Sequence, residues 1–208
     1  MISASIALAL LLASPSCAQE KVIEESIQGL KNPDKDIRRK AGWTLCFKAA
    51  HAKAAVPALR EALKDSERDV RLICAIALTR IDPSIVEPTM DLLIEALNAE
   101  HELWHRENAA CTLSLTGKKA KPALAALIKA LGAPLADPAK DRDGAEATVR
   151  LWVFSSVSLG NLGADAKDAV PALKKLADLE EKAVGGQNTA EAKKTAREAL
   201  DKILGKDR

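Results

Sequence analysis

The sequence predicts an all-α protein, a right-handed α-α superhelix (a short α-solenoid) of about five stacked helix pairs. Two phrases predict it, one with a proline and one with an arginine, because they alternate along the chain and each returns after 31 to 35 residues in its first copies. The composition agrees, since Ala and Leu are abundant whereas Tyr is absent and only two Phe occur. A sandwich or barrel would contain more aromatic and β-branched residues.

The proline phrase predicts where each pair begins. It reads "AVPALREAL" in its first copy, and its copies start at Ala55, Ile85, Ala120 and Ala169. A proline at the first helical position loses no needed hydrogen bond and already has a helical φ. We therefore predict that the prolines of this phrase open the first helix of a pair; they are Pro57, Pro88, Pro122 and Pro171.

The arginine phrase predicts the second helix of each pair. It reads "DIRRKAGWTL", then "DVRLICAIAL", "WHRENAACTL", "TVRLWVFSSV" and a degenerate "EAKKTAREAL". Apolar residues recur in it at helical spacing. One column holds Arg38, Arg71, Arg106, Arg150 and Lys193. The predicted pairs are 20–30 with 35–50, 55–64 with 68–81, 86–98 with 101–117, 120–131 with 145–163, and 167–183 with 188–205.

The two phrases together resemble HEAT repeats, in particular the short HEAT-like repeats of phycobilisome lyases. "VPAL" paired with "D-x-VR-x-x-A-x-x-AL" carries the resemblance, which extends over residues 20–204. Because one pair cannot bury its apolar face alone, the pairs must stack into a single core, which predicts one repeat domain over residues 19–208. Function is only weakly implied, because such repeats serve scaffolds, lyase subunits and enzymes alike.

The amino terminus predicts export. Residues 6–13 form an unbroken apolar run that is too short to span a bilayer, and Ser16-Cys17-Ala18 fits a signal-peptide cleavage site. We expect residues 1–18 to be removed and the mature chain to be periplasmic or secreted, without stable membrane insertion. Lipid anchoring through Cys17 is the alternative, although Ser14 stands where a lipoprotein motif usually has Leu.

The charge of the chain argues against nucleic-acid binding, and its cysteine content argues against a framework of disulfide bonds. The formal net charge is only +2, whereas nucleic-acid binders usually show a strong basic excess. Cys46, Cys74 and Cys111 remain after cleavage, and an odd number cannot all pair internally. We expect free, buried thiols, and the sequence indicates no cofactor.

"HELWH", from His101 to His105, is the motif with the most specific chemistry. H-E-x-x-H on a helix places two imidazoles on one face for zinc, with Glu102 to activate a water. The extended motif fails, because Asn108 stands where it needs Gly and Cys111 where it needs His. We expect ordinary helix residues and no enzyme, and the alternative is a zinc-dependent hydrolase that uses His101 and His105.

The arginine column and three tryptophans are the candidate binding residues. The HEAT-like resemblance implies an arginine ladder in which each Arg bonds an Asp at a neighbouring turn, and Asp36 and Asp69 fit that role. The alternative is an anion-binding row. Trp152 is expected in the core and Trp104 to be the most exposed. The binding residues that we predict are Trp43, Arg71, Trp104 and Arg106.

The segment from Gly132 to Ala147 breaks the period. Pro122 and Arg150 are 28 residues apart, whereas Pro57 and Arg71 are 14 apart. Its Gly, Pro and alternating charges predict a loop. Insertions in repeat proteins often lie on the binding face.

The function that we expect is a non-catalytic interaction module that binds a protein or peptide on its concave face. The zinc-dependent hydrolase is one alternative. A lyase-type HEAT protein that handles a cofactor is the other, and only the resemblance supports it. The sequence leaves the partner and the oligomeric state open.

Overall fold

The computed structural model describes residues 15–98, 103–137, 139–179 and 187–206. Within these ranges every regular element is an α-helix or a short 3₁₀ helix, and no strand occurs. The predicted all-α fold class is therefore confirmed. Within the same ranges, no helix combines the length and the apolar character that a membrane span requires.

The helices follow one another as the predicted pairs. The first helix of each pair packs against the second across a short connection. In order, the pairs are α1 (Pro15–Gly29) with α2 (Lys35–Phe47), α3 (Val56–Ala62) with α4 (Arg68–Ile81), α5 (Met90–Ala96) with α6 (Leu103–Ser114), α7 (Leu124–Leu131) with α8 (Arg142–Leu162), and α9 (Val170–Ala177) with α10 (Gln187–Leu204).

The prolines of the repeated phrase lie at one of two positions relative to the start of the first helix of a pair. Pro57 and Pro171 occupy the second positions of α3 and α9, where a missing N–H costs no helical hydrogen bond. Pro88 and Pro122 lie slightly earlier, in the 3₁₀ segments that lead into α5 and α7. All four prolines therefore stand at or just before the start of a pair's first helix.

The chain divides into two compact units, Met1–Asp82 and Pro83–Arg208. In the first unit, the second helices α2 and α4 pack against each other. Gly42 makes this close approach possible, because a Cβ there would lie 2.7 Å from Cγ2 of Ile73. Leu45 and Leu78 are fully buried in the same unit. One repeat domain over residues 19–208 stays a prediction.

In the second unit, α8 packs between α6 and α10. A Cβ at Gly160 would lie 3.1 Å from Cα of Ala199, so a small residue is needed where α8 meets α10. Leu113, Leu151 and Leu159 are buried in this unit. α8 is the long helix of the unit, with 21 residues.

The predicted loop from Gly132 to Ala147 is shorter than the sequence indicated. Residues 133–137 are not helical, but α8 begins at Arg142, so the last part of the insertion is helix. The cause is a local cap: the Asp141 carboxylate accepts a hydrogen bond from the Gly144 N–H at 2.9 Å. The insertion therefore lengthens the second helix of its pair.

The cysteines lie largely where the sequence placed them. Cys46 and Cys74 are buried, Cys111 is half-buried, and none of the three forms a disulfide bond with another described residue. Burial raises the pKa of the Cys74 thiol to about 12, so it stays protonated at neutral pH. The predicted signal peptide lies mostly outside the described residues. α1 begins at Pro15, and export stays a prediction.

Candidate binding surface

The first two arginines of the column form hydrogen bonds with the turn that connects the two helices of their own pair. Arg38 Nη1 donates to the main-chain oxygens six and five residues earlier, both at 2.9 Å. Arg71 Nη1 repeats this arrangement at 2.7 and 3.0 Å. The two guanidinium groups thus satisfy carbonyl groups of the turn between two paired helices.

Arg38 also links the first pair to the second. Its Nε and Nη2 donate to the Asp65 carboxylate at 2.7 and 2.9 Å, and both side chains are about nine-tenths buried, with exposed fractions of 12% and 10%. The main-chain N–H of Glu67 donates to the same carboxylate at 2.9 Å. Burial alone would raise the pKa of Asp65, but these hydrogen bonds and the Arg38 charge outweigh it and lower the pKa.

In the predicted arginine ladder, the carboxylate that binds Arg38 is Asp65 and not Asp36, which the sequence indicated. Asp36 accepts a hydrogen bond from Arg39 at 3.2 Å, and Arg38 binds Asp65 instead. Asp36 lies on the first turn of α2, two positions before Arg38, and so points to another side of the helix. Asp69, the second predicted partner, likewise lies on the first turn of its helix, while Arg71 donates to the turn carbonyls.

The next two arginines of the column, Arg106 and Arg150, also bind groups of the protein itself. Arg106 is 7% exposed and its Nε donates to Leu97 O at 3.3 Å, and burial lowers the pKa of its guanidinium. Arg150 forms a two-pronged ion pair with Glu107, with Nε–Oε1 at 2.7 Å and Nη2–Oε2 at 3.2 Å, which links α8 to α6. The structure thus places the predicted binding residues Arg71 and Arg106 in contact with main-chain carbonyls.

Trp104 is half-buried and stacks on the ring of His105, with ring centroids 3.6 Å apart. Trp43 is half-buried as well and Trp152 is buried, so the expectation that Trp104 is the most exposed tryptophan stays a prediction. His105 is buried. His101 and Glu102 lie outside the described residues. Elsewhere in the chain, across the described ranges, no three His, Cys, Asp or Glu side chains gather as a metal site would need.

The most exposed large apolar side chain of the described residues lies on α2. Phe47 is 77% exposed, and its ring stacks on that of Trp43 with centroids 5.7 Å apart and an angle of 27° between the planes. A groove of about 530 Å³ runs along this face. It is lined by Asp36, Arg39, Lys40, Trp43, Thr44 and Phe47, which we call the α2 face.

The sequence pointed to Trp43 but missed Phe47. Phe47 lies nine positions after Arg38, where the next copies have Arg80 and Leu115. Leu115 is also more than half exposed, so this position faces solvent in the third copy as well. The available signal was an apolar residue one turn after Trp43, on the same side of the helix.

The α2 face carries positive charge beside its aromatic rings. Arg39 forms an ion pair with Asp36 at the surface. Lys40 is the other cation that lines the groove. Lys48 follows Phe47 at the end of the helix. Neither lysine forms an ion pair with a residue in the described part of the chain. This face offers an apolar contact with cations around it, which suits binding more than acid–base chemistry.

Comparison with known proteins identifies the repeat. The family model for HEAT repeats matches residues 23–110. Residues 23–110 of this chain are therefore HEAT repeats, and the resemblance drawn from the two phrases is confirmed. No curated protein matches the chain in a sequence comparison.

Solved structures of other proteins resemble this fold. One is a chain of the complex of CpcE and CpcF of phycocyanin lyase from Nostoc sp. PCC7120, with 25% identity and a TM-score of 0.61 over 88% of this chain. Our chain spans 65% of that chain's length. Another is an engineered protein with 19% identity and a TM-score of 0.60, and the match covers 95% of this chain and 87% of that one.

Proposed function

We propose that this protein is a non-catalytic interaction module that binds a protein or peptide partner on the α2 face. The observation that carries the proposal is the stacked pair formed by the half-buried Trp43 and the exposed Phe47. One of only two Phe in the chain lies mostly in water, next to a Trp that already lines a groove. Trp is among the residues that most often dominate binding energy at protein interfaces.

The energetics favour a contact of this kind. Burying a Phe side chain contributes about 1.5–3 kcal/mol, and a half-buried Trp loses little conformational entropy when a partner covers it. Single exposed apolar residues are common on protein surfaces. Two stacked rings that line one groove are a better anchor, because the partner can bury both at once.

The comparisons support a protein partner in a general way. The chains of the Nostoc structure form a complex of two proteins, CpcE and CpcF, so this fold takes a protein partner there. That similarity also makes a lyase-type role the second candidate for our chain. Pigment attachment by the purified chain to an acceptor protein would support it.

The location is part of the proposal. The apolar run at residues 6–13 and the small residues around position 17 support export to the periplasm or the medium. The first residue of the protein recovered from its native cells tests this. We expect Gln19, whereas a chain that still begins with Met1 would contradict export.

Selection from a random peptide library tests the binding function. The full chain is immobilised, and enriched peptides are then titrated against the wild type and the Trp43→Ala/Phe47→Ala variant. We expect the double variant to bind at least about tenfold more weakly, because truncated anchors commonly cost that much.

Leu115→Ala is the matched control, since it removes another exposed apolar side chain, which lies in the turn directly after α6. It should leave the affinity unchanged. Failure to enrich any peptide, or equal binding by the double variant, would contradict the proposed function.

A further inference from the structure

We infer that the segment bound on the α2 face is an acidic peptide that carries one or two apolar anchor side chains. This inference rests on the proposed function, because it specifies the chemistry of the partner. The geometry supplies the apolar half of the description. The two stacked rings present about one helical turn of aromatic surface, which fits one or two apolar side chains of a partner.

The distribution of charge supplies the acidic half. The 24 residues from Ile37 to Arg60 contain six Lys or Arg and no Asp or Glu, although the whole chain has a net charge of only +2. Positive charge is therefore concentrated in the stretch that contains Trp43 and Phe47. A partner with carboxylates would meet complementary charge at this face.

Not all of these cations are available. Arg38 is bound to Asp65 and to turn carbonyls, and Arg39 is paired with Asp36. Lys40 and Lys48 remain without an ion pair among the described residues; Lys40 lines the groove, and Lys48 is the exposed residue that follows Phe47 in the chain. They are the cations that we expect carboxylates of the partner to meet.

A membrane surface is the other macromolecular partner that aromatic and basic residues can attract. The α2 face fits it poorly. A helix that lies in a lipid interface buries a broad apolar face, whereas the apolar face of α2 is already buried inside the protein around Leu45 and Cys46. Of the large apolar side chains of α2, Phe47 is 77% exposed and Ile37 43% exposed, which do not form a broad apolar face, and Trp43 stays half-buried in a groove. A peptide that enters the groove uses both rings.

Binding of three labelled peptides, measured by fluorescence anisotropy with the full chain, tests the inference. The first peptide matches α2 in length, 13 residues, and carries two Leu four positions apart among Asp and Glu. The second has Lys in place of every acidic residue. The third keeps the acidic residues but has Ser in place of both Leu. We expect the first peptide to bind at least about tenfold more tightly than either control, and more weakly as salt rises.

Protein variants locate the contact. We expect Trp43→Ala and Phe47→Ala each to weaken binding of the first peptide about tenfold. We expect Lys40→Glu/Lys48→Glu to weaken it about three- to tenfold, the range of exposed charge pairs. Lys129→Glu reverses an exposed charge on α7 and should change nothing. Circular dichroism of each variant, compared with the wild type, shows whether the helices are intact.

The outcomes separate the inference from the proposed function. Equal binding of the acidic and basic peptides, with loss in Phe47→Ala, would overturn the acidic partner and leave the binding face in place. Sedimentation with phosphatidylglycerol vesicles that is lost in Phe47→Ala, without peptide binding, would overturn both in favour of a membrane. Absence of binding by the acidic peptide at about millimolar concentration would also overturn the inference.

Discussion

Trp43 and Trp152 lie on second helices of their pairs, yet their surroundings differ. Trp152 is 4% exposed on α8, which packs between α6 and α10. Trp43 is half-buried on α2, which packs against α4 within its unit and turns its other side to solvent together with Phe47. The same type of residue thus supports the core in one helix and offers a contact surface in another. Flanking helices, more than residue type, decide which role a tryptophan has.

Trp152→Ala should give the largest effect, because it leaves a cavity where α8 is covered on both sides. We expect a loss of about 3–5 kcal/mol in the free energy of unfolding, measured by urea denaturation. Trp152→Phe is the matched control. The indole N–H makes no hydrogen bond with any described residue, so Phe fills most of the space at little cost.

Trp43→Ala provides the other side of this comparison. It should cost less than about 1 kcal/mol, since the side chain is only half-buried. A stability loss at Trp43 as large as that at Trp152 would make Trp43 a core residue and remove the basis of the α2 face.

Leu78→Ala extends the comparison to the interior of the first unit. Leu78 is fully buried on α4, and its truncation should cost about 2–5 kcal/mol by urea denaturation. Leu204→Ala, at a side chain that is 45% exposed, should cost much less. A loss below about 1 kcal/mol for Leu78→Ala would contradict the packing of the helix pairs.

Asp65→Asn should have a smaller effect that depends on pH. Because the pKa of Asp65 is lowered in the folded protein, its ionised form contributes stability above the ordinary value of 3.8, and this contribution is lost as pH falls through the folded value. We expect the variant to lose about 1–3 kcal/mol at pH 7.

The difference between wild type and Asp65→Asn should then shrink in acid, toward about pH 2, as the wild-type carboxylate is protonated. Urea denaturation at the two pH values measures it. A difference that stays constant with pH would mean that the carboxylate charge is not what holds Arg38. Asp36→Asn is the control, because its pair with Arg39 is exposed and contributes little.

The repeat period predicted the fold and the order of the helix pairs, because each copy reports on the same local structure. Pro57 and Pro171 located helix starts for the same reason. The partner of Arg38 could not be predicted, since Asp65 lies 27 residues away and the contact depends on how two pairs stack. The exposure of Phe47 also depends on neighbouring helices, so its spacing from Trp43 indicated a shared side of the helix but not that this side faces solvent. The start of α8 was missed because the Asp141 cap lies in a segment whose composition is typical of loops.

Pro57→Ala should give the smallest effect and tests the role of the repeated proline itself. Pro57 is exposed and occupies the second position of α3, where the N–H that Ala introduces needs no helical partner. The remaining effect of the substitution is that the unfolded chain gains conformational freedom. We therefore expect the free energy of unfolding, measured by urea denaturation, to fall by at most about 1 kcal/mol. Pro171→Ala, at the matching position of α9, should behave alike. A much larger loss at either site would mean that the ring itself packs between pairs, and the proline would then be a contact residue as well as a helix start.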